Sequence, residues 1–368
     1  MEIGGWTIMV GTRLSGSCKA LYCVDVARSI DLPLAQELTT SRRTTFHHKS
    51  RVPEGKGMPP PLRMSWEVPA QALGLHTTAN EVEIALYDFG ALCITWSLPV
   101  AGSLEELVPI SALLYDHAGL IARSRKLAEE VMSALGPALD RPRLSSDIED
   151  YTIFQIAPLD SGPATLLAHS RASLARILRA EEQELSAQET DDALAHPIAY
   201  GRDDVCLVDW LAAFLMGSDT EDERLVLELA TVELLELRLL DSQLEGEIQE
   251  AYELLARPRG PWSTLTVQRR ELEHLARIQA DDVLLHEGID NALKLLGDDY
   301  LARLYRTSAA RFHFDDWDLS IQRKLGALRT VYQSLADLAA HRRSEILEWI
   351  IILLIAVDIV LYFTPIRG

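Results

Sequence analysis

Several common functional signatures are missing from this chain of 368 residues. It has only four cysteines, and no two of them form a C-x-x-C pair. Few, unpatterned cysteines favour buried thiols in a reducing cytoplasm over a disulfide framework. The patterns G-x-x-x-x-G-K-[ST], G-x-G-x-x-G and G-x-S-x-G are also absent, so no motif supports a P-loop NTPase, a dinucleotide-binding enzyme or an α/β-hydrolase. We therefore expect no cofactor and find no catalytic motif.

Basic residues are scarce relative to acidic ones. The chain has 35 Lys and Arg against 55 Asp and Glu, a formal net charge of −20. Proteins that bind nucleic acid present a basic patch or stripe, so we expect no direct nucleic-acid binding. One local basic run exists, and a solvated loop explains it equally well: Arg42, Arg43, Lys49 and Arg51. Residues 1–10 lack the positively charged start of a secretory signal.

Residue patterns divide the chain into three regions and predict an α+β fold. Residues 1–200 mix strand and helix patterns, which predicts a mixed α/β domain. Within it, two β-rich runs meet at Asp88-Phe89-Gly90, where Gly90 supplies the backbone freedom of a tight hairpin. Residues 203–345 are predicted to be a helical, coiled-coil region, and residues 346–363 a C-terminal transmembrane helix. The long helices form either a bundle or a helical hairpin in this prediction.

The helical region contains two apolar seams. The first steps by three and four residues from Leu227 to Leu255, with one polar break at Asp241. A proline- and glycine-containing stop and a further predicted helix over residues 264–296 favour an antiparallel hairpin. The second seam runs from Ile321 into the apolar C-terminal segment. Because residues 222–256 are strongly acidic, we expect the first seam to pack within the chain and self-association to use the final helix.

The C-terminal segment has the layout of a tail anchor. Residues 346–363 would span roughly 27 Å at about 1.5 Å per residue, close to the hydrocarbon thickness of about 30 Å. Trp349 at one end, and Tyr362 with Phe363 at the other, suit the two membrane interfaces. Asp358 would lie near the far interface, where an acid usually faces a protein or water partner. The alternative is a helix buried in a protein core or an oligomer interface.

Positive charges predict the orientation of this anchor. Arg342 and Arg343 precede the segment, and by the positive-inside rule they place the long N-terminal part in the cytoplasm. The expected location is therefore the cell inner membrane, crossed once.

Several stretches resemble one known family. Residues 347–355 (Leu-Glu348-Trp349-Ile-Ile-Ile-Leu-Leu-Ile), with Asp358 nine residues after the tryptophan, are similar to the closing motif of the "required for meiotic nuclear division" family, domain of unknown function 155. Residues 20–32, 86–90, 167–175 and 297–335 also resemble stretches of that family, in the same order. The chain departs from the family at Arg176-Ile177, where Gln-Ser is frequent, and at Asp358, where Glu is commoner.

The resemblance implies a membrane-associated, oligomeric protein without an established enzymatic activity. Eukaryotic members are tied to mitochondrial inner-membrane support of translation and to sporulation or cytoskeletal phenotypes. The composition and the lack of a transit peptide suggest a bacterial member.

Two functions from different classes remain at the level of sequence. The first is a membrane-anchored oligomeric scaffold or adaptor, self-associating through its C-terminal helices and holding an unidentified protein partner. The second is a soluble or peripheral metal-dependent enzyme that uses Asp282 and His286, which are spaced by one helical turn. Most such pairs are solvated, so no metal site is assigned.

Overall fold

The computed structural model describes residues 13–39, 60–256 and 299–363. The chain divides into two compact units. One comprises Met1–Leu239 with Glu287–Asp316, and the other comprises Leu240–His286 with Trp317–Gly368. The predicted second helix of the hairpin, over residues 264–296, lies outside the described residues.

A seven-stranded mixed sheet forms the centre of the first unit. Its strand order is β10-β11-β9-β1-β7-β6-β3, and every neighbouring pair is antiparallel except β9 with β11. Two small two-stranded sheets pair β2 with β8 and β4 with β5. The strands are β1 Leu14–Asp25, β2 Ser29–Ile30, β3 Leu62–Glu67, β4 Ala72–Leu73, β5 His76–Thr77, β6 Glu81–Leu86, β7 Ala91–Gly102, β8 Leu139–Asp140, β9 Glu149–Ile156, β10 Val205–Val208 and β11 Ala212–Met216.

Six helices and one face of the sheet enclose the main hydrophobic core. The indole of Trp96 on β7 is fully buried there and donates a hydrogen bond of 2.9 Å to the Ser124 hydroxyl. Local capping begins two of these helices: Asp31 accepts from the Leu34 amide at 3.0 Å, and Ser186 accepts from the Glu189 amide at 3.2 Å. The helices are α1 Leu32–Leu38, α2 Leu104–Leu114, α3 Ala118–Leu135, α4 Gly162–His169, α5 Arg171–Leu178 and α6 Ala187–Ala193.

The opposite face of the sheet packs against α7 (Glu221–Ala256). The first positions of the predicted seam are buried: Leu227, Ala230, Leu234 and Leu237. A further helix, α8 (Asp299–Arg311), contacts α7 through two tyrosines. The Tyr300 hydroxyl donates to Glu223 at 3.0 Å, and the Tyr305 hydroxyl donates to Glu233. The first unit is therefore layered, with helices on both faces of its sheet.

Strands β10 and β11 lie within a region that the sequence pattern assigned to helices. Residues 212–216 pair in parallel with residues 152–156 of β9. A short apolar run does not by itself distinguish a buried strand from a buried helix turn. Here the run forms a strand because β9, which is distant in sequence, pairs with it. The helical region begins only at Glu221.

In the second unit, the polar break of the first seam has hydrogen-bonding partners. Helix α9 (Phe314–Phe363) continues through 50 residues without interruption. Its Ser320 hydroxyl donates to the Asp241 carboxylate at 2.7 Å, and the Lys324 ammonium lies 3.0 Å from Asp241 and 3.2 Å from Glu245. Asp241 is thus an ion-pair and hydrogen-bond partner of α9.

The C-terminal end of α9 does not form the expected transmembrane helix. In the part of the chain that the structure describes, no helix combines the length and the apolar character needed to cross a bilayer. Glu348 and Asp358 limit the uncharged stretch to residues 349–357, about 13 Å of helix against a hydrocarbon core of about 30 Å. The predictions of a transmembrane helix, a tail anchor and a single-pass inner-membrane location are therefore wrong.

Candidate functional site

The predicted hairpin residues form a tight turn between β6 and β7. Gly90 has a φ of +111°, and a Cβ there would lie 1.8 Å from the Ala27 carbonyl oxygen. Two backbone bonds join the turn to the segment after β1: the Val26 amide donates to Gly90 at 3.0 Å, and the Ile30 amide donates to Asp88 at 2.8 Å. Gly90 is therefore required by both its conformation and this close approach. Burial raises the pKa of the Asp88 carboxyl.

The predicted C-terminal residues lie on α9 in the second unit. Trp349 is 71 % exposed, and Glu348 and Asp358 are also exposed. Ten large apolar side chains between residues 347 and 359 are exposed: Leu347, Trp349, Ile350, Ile351, Ile352, Leu353, Leu354, Ile355, Val357 and Ile359. We call these ten residues the apolar end of α9. The backbone of the remaining predicted residues belongs to the same helix: Arg342, Arg343, Tyr362 and Phe363.

In the first unit, α7 is joined to the sheet by a buried group of charges. The centre of this group is Glu228, whose side chain is 0 % exposed. Its carboxylate accepts hydrogen bonds from Arg63 at 2.7 Å, from the Tyr87 hydroxyl at 2.7 Å and from Arg224 at 3.1 Å. Arg63 comes from the edge strand β3, Tyr87 from the β6–β7 turn and Arg224 from α7 itself.

Two further glutamates complete this group, which we call the ion cluster: Arg63, Glu83, Tyr87, Glu221, Arg224 and Glu228. The Arg224 guanidinium lies 2.5 Å from Glu221 and 3.0 Å from Glu83, and Arg63 lies 2.6 Å from Glu83. The side chain of Arg224 is only 1 % exposed. Glu221, Arg224 and Glu228 follow each other at spacings of three and four residues, so all three lie on one face of α7.

The protonation states of the ion cluster follow from its contacts. Burial acts to raise the pKa of Glu228, but Arg63 and Arg224 outweigh it and hold that pKa below its usual value. Burial, reinforced by the charge of Arg224, lowers the pKa of the neighbouring Lys19. Because its charges satisfy one another, the ion cluster is suited to holding α7 in one position rather than to binding a ligand.

A second buried carboxyl on α7, that of Glu236, has a pKa above its usual value, whereas the pKa of Glu228 is lowered. The Glu236 Oε1 atom is buried and makes no hydrogen bond to any described residue. Burial, together with the charge of Asp25 at the end of β1, raises the pKa of Glu236 to about 8. Burial likewise raises the pKa of Asp25 to about 6, against the opposing effect of Arg143. Glu236 is therefore mostly protonated at neutral pH.

Sequence patterns did not identify either group on α7. The spacing of Glu221, Arg224 and Glu228 was visible, but their partners Arg63 and Glu83 lie on strands far away in sequence. No three His, Cys, Asp or Glu side chains within the described ranges are placed to hold a metal ion. Asp282 and His286, the pair considered for a metal-dependent enzyme, lie outside those ranges.

Together, these features define an α+β protein with a mixed seven-stranded sheet, to which a long helix is joined by buried ion pairs. The chain belongs to the family described as "Uncharacterized protein MJ0711, N-terminal domain", whose model matches residues 15–223. It is also similar to "Uncharacterized protein MJ0711" of Methanocaldococcus jannaschii, with 25 % identity over 238 residues, 64 % of this chain and 72 % of that protein. No solved structure matches the chain.

This family assignment corrects the resemblance to the "required for meiotic nuclear division" family. The matched residues 15–223 cover the sheet and helices α1 to α6, whereas the most specific part of that resemblance was a short apolar motif at residues 347–358. A short stretch of Leu, Ile and Val is not specific to one family, because any helix that other groups cover on all sides has such a composition. The predicted membership of the meiotic family is wrong.

Proposed function

We propose that this protein is a homo-oligomeric scaffold whose chains associate through the apolar end of α9. The observation that carries the proposal is the exposure of all ten large apolar side chains between residues 347 and 359. Consecutive residues from 349 to 355 are among them, so the apolar surface surrounds the helix. A helix that is apolar on all sides requires a covering of other groups.

The amount of exposed surface suits a stable association. Ten side chains, each about half exposed, offer roughly 1,000 Å² per chain, against about 800 Å² per partner in a standard protein interface. Exposed apolar patches larger than a few hundred Å² mark interaction sites in soluble proteins. The apolar end of α9 is thus large enough to carry an assembly without other contacts.

Further copies of the same chain are the partner that this surface fits. The stretch 349–357 contains no charge, so identical helices can pack along it without placing like charges opposite each other inside the contact. Glu348 and Asp358 lie at the two limits of the stretch, where they remain in contact with water. Because the surface surrounds the helix, covering it takes more than one neighbouring helix, which favours a bundle.

The proposal is tested by the mass of the assembly in solution. Sedimentation equilibrium of the full chain is expected to give a multiple of the monomer mass, and Ile352→Glu with Leu353→Glu is expected to give the monomer. A charge in the desolvated centre of a helical interface costs several kcal/mol unless it is paired. Leu75→Glu is the matched control, because Leu75 is 100 % exposed on the first unit and should leave the mass unchanged. A wild-type monomer at all concentrations, or an unchanged mass in the double variant, would show that α9 is not the assembly site.

A further inference from the structure

Two of the four cysteines face each other on neighbouring central strands. Cys23 on β1 is directly opposite Cys93 on β7 in the antiparallel register. Their sulfur atoms lie 3.1 Å apart, and both thiols are free and buried. Opposite residues in antiparallel strands have Cα atoms about 4.5–5.5 Å apart, within the range of about 4.4–6.8 Å that disulfides use. A bond between them therefore needs no rearrangement of the strands.

The surroundings of this pair restrict when it can react. Burial, and then contact with Cys93 and the charge of Glu228, raises the pKa of Cys23, and burial also raises the pKa of Cys93. Both thiols are therefore kept neutral, and neutral thiols are poor nucleophiles. The residues on either side of Cys23 and Cys93 along β1 and β7 belong to the main hydrophobic core, and successive residues of a strand face opposite sides. Both thiols therefore lie on the other face of the sheet, against which α7 packs. An oxidant can reach them only when α7 moves away from the sheet.

We propose that Cys23 and Cys93 form an oxidation site that closes into a cross-strand disulfide when α7 transiently leaves the sheet. The oxidant class is a peroxide. One thiolate attacks the O–O bond, giving a sulfenic acid and releasing water or an alcohol. The second thiol then attacks that sulfur, forming the S–S bond and releasing water. Two electrons pass from the two sulfurs to the peroxide, and the two thiol protons leave in the two released molecules.

The structure also identifies what makes this pair different from the other cysteines. Cys18 and Cys206 are buried as well, but neither has a second sulfur within bonding distance among the described residues. In an unfolded chain, oxidation would form disulfides between any two of the four cysteines, because their spacing in sequence favours no particular pair. A product in which only Cys23 and Cys93 are joined therefore shows that the bond formed while the sheet was folded.

The test is peroxide treatment of the full chain, followed by alkylation of free thiols and peptide mass mapping. The expected product is one linked peptide pair, Cys23 with Cys93, lighter by two hydrogen atoms. It should form several-fold faster in Glu228→Gln, which weakens the contact of α7 with the sheet, than in the matched variant Glu250→Gln, whose side chain is exposed. Absence of that peptide in both variants, or an even mixture of cysteine pairs, would overturn the proposal.

A second readout remains informative if Glu228→Gln folds poorly. Oxidised wild-type protein should have a higher Tm than the reduced form, because the bond closes a loop between residues 70 positions apart, and added thiol should reverse the rise. Cys18→Ala should retain this rise, and Cys93→Ser should lose it. An equal rise in Cys93→Ser would assign the effect to another site and contradict the proposal.

Discussion

At the scale of single residues, Glu236 links the fold to pH. Its pKa in the folded protein is raised from 4.5 to about 8. The folded state therefore binds more protons than the unfolded state between these values, and the free energy of unfolding must fall as pH rises through this window. Asp25, raised from 3.8 to about 6, acts in the same direction over a lower range.

Replacing Glu236 with Gln is expected to remove most of this dependence. Between pH 5 and pH 8, the wild-type protein should lose at least about 1.4 kcal/mol of stability relative to Glu236→Gln, the equivalent of one pKa unit. Urea unfolding at several pH values measures this difference. Glu250→Gln, an exposed change on the same helix, should keep the wild-type slope. If the free energy of unfolding depends on pH in the same way in the wild type and in Glu236→Gln, the pKa of this carboxyl is not raised in the folded protein.

For Gly90 and Asp241, the structure adds contacts that the sequence pattern did not reveal. Gly90 was predicted from the turn that it permits, and its φ of +111° agrees with that reason. The pattern did not reveal that the Ala27 carbonyl leaves no room for a Cβ. Asp241 interrupts an apolar seam in sequence, yet in the fold it is bound by Ser320 and Lys324. Each residue's partner is distant in sequence, and only the fold brings the two together.

At the scale of elements, α7 depends on buried charges for its position. Replacing Glu228 with Gln leaves the guanidinium groups of Arg63 and Arg224 buried with less negative charge around them. Removing one partner of a buried ion pair costs about 3–5 kcal/mol. We expect Glu228→Gln to lower the free energy of unfolding by an amount near the lower end of this range, since the amide oxygen can still accept the hydrogen bonds of one carboxylate oxygen.

Chemical denaturation at pH 7 measures this loss, with Glu250→Gln as the control for charge removal on an exposed part of α7. The loss should also depend on pH. Because Arg63 and Arg224 hold the pKa of Glu228 below 4.5, its contribution is present above that value and disappears as pH falls through the lowered pKa. A change below 0.5 kcal/mol, typical of surface substitutions, would show that the cluster does not position α7.

At the scale of the whole molecule, the first unit extends beyond the part matched by the family. The match ends at residue 223, whereas Glu228, which joins α7 to the sheet, and the buried seam residues from Leu227 onward lie beyond it. Helix α8 adds buried side chains from residues 300–308 to the same unit. A chain that stops at residue 223 would lack most of α7, which packs against this face of the sheet.

We therefore expect a chain ending at residue 316 to unfold cooperatively on heating, and a chain ending at residue 223 to lose that transition. Each buried Leu left out removes about 1.5–3 kcal/mol of burial, and several such losses exceed the usual stability of a domain. Calorimetry and near-ultraviolet circular dichroism compare the two chains. Equal transitions in both would show that the first unit does not need α7.

Features that rest on local rules follow from the amino-acid sequence alone. The β6–β7 hairpin follows from two β-rich runs around a glycine, and the uninterrupted α9 follows from apolar residues spaced by three and four positions without a proline. The buried seam positions at the start of α7 also follow from its periodicity: Leu227, Ala230, Leu234 and Leu237. Such features depend on residues close in sequence, so a pattern contains the necessary information.

The other features follow only from the fold, because they depend on pairs of residues that are distant in sequence. Arg63 and Glu228 are separated by 165 positions and Cys23 and Cys93 by 70, and neither pair has a local signature. Strand β11 is a strand because β9 lies beside it. The apolar end of α9 is a further example. Its apolar composition is visible in the sequence, but only the fold shows which of its sides are exposed and need to be covered.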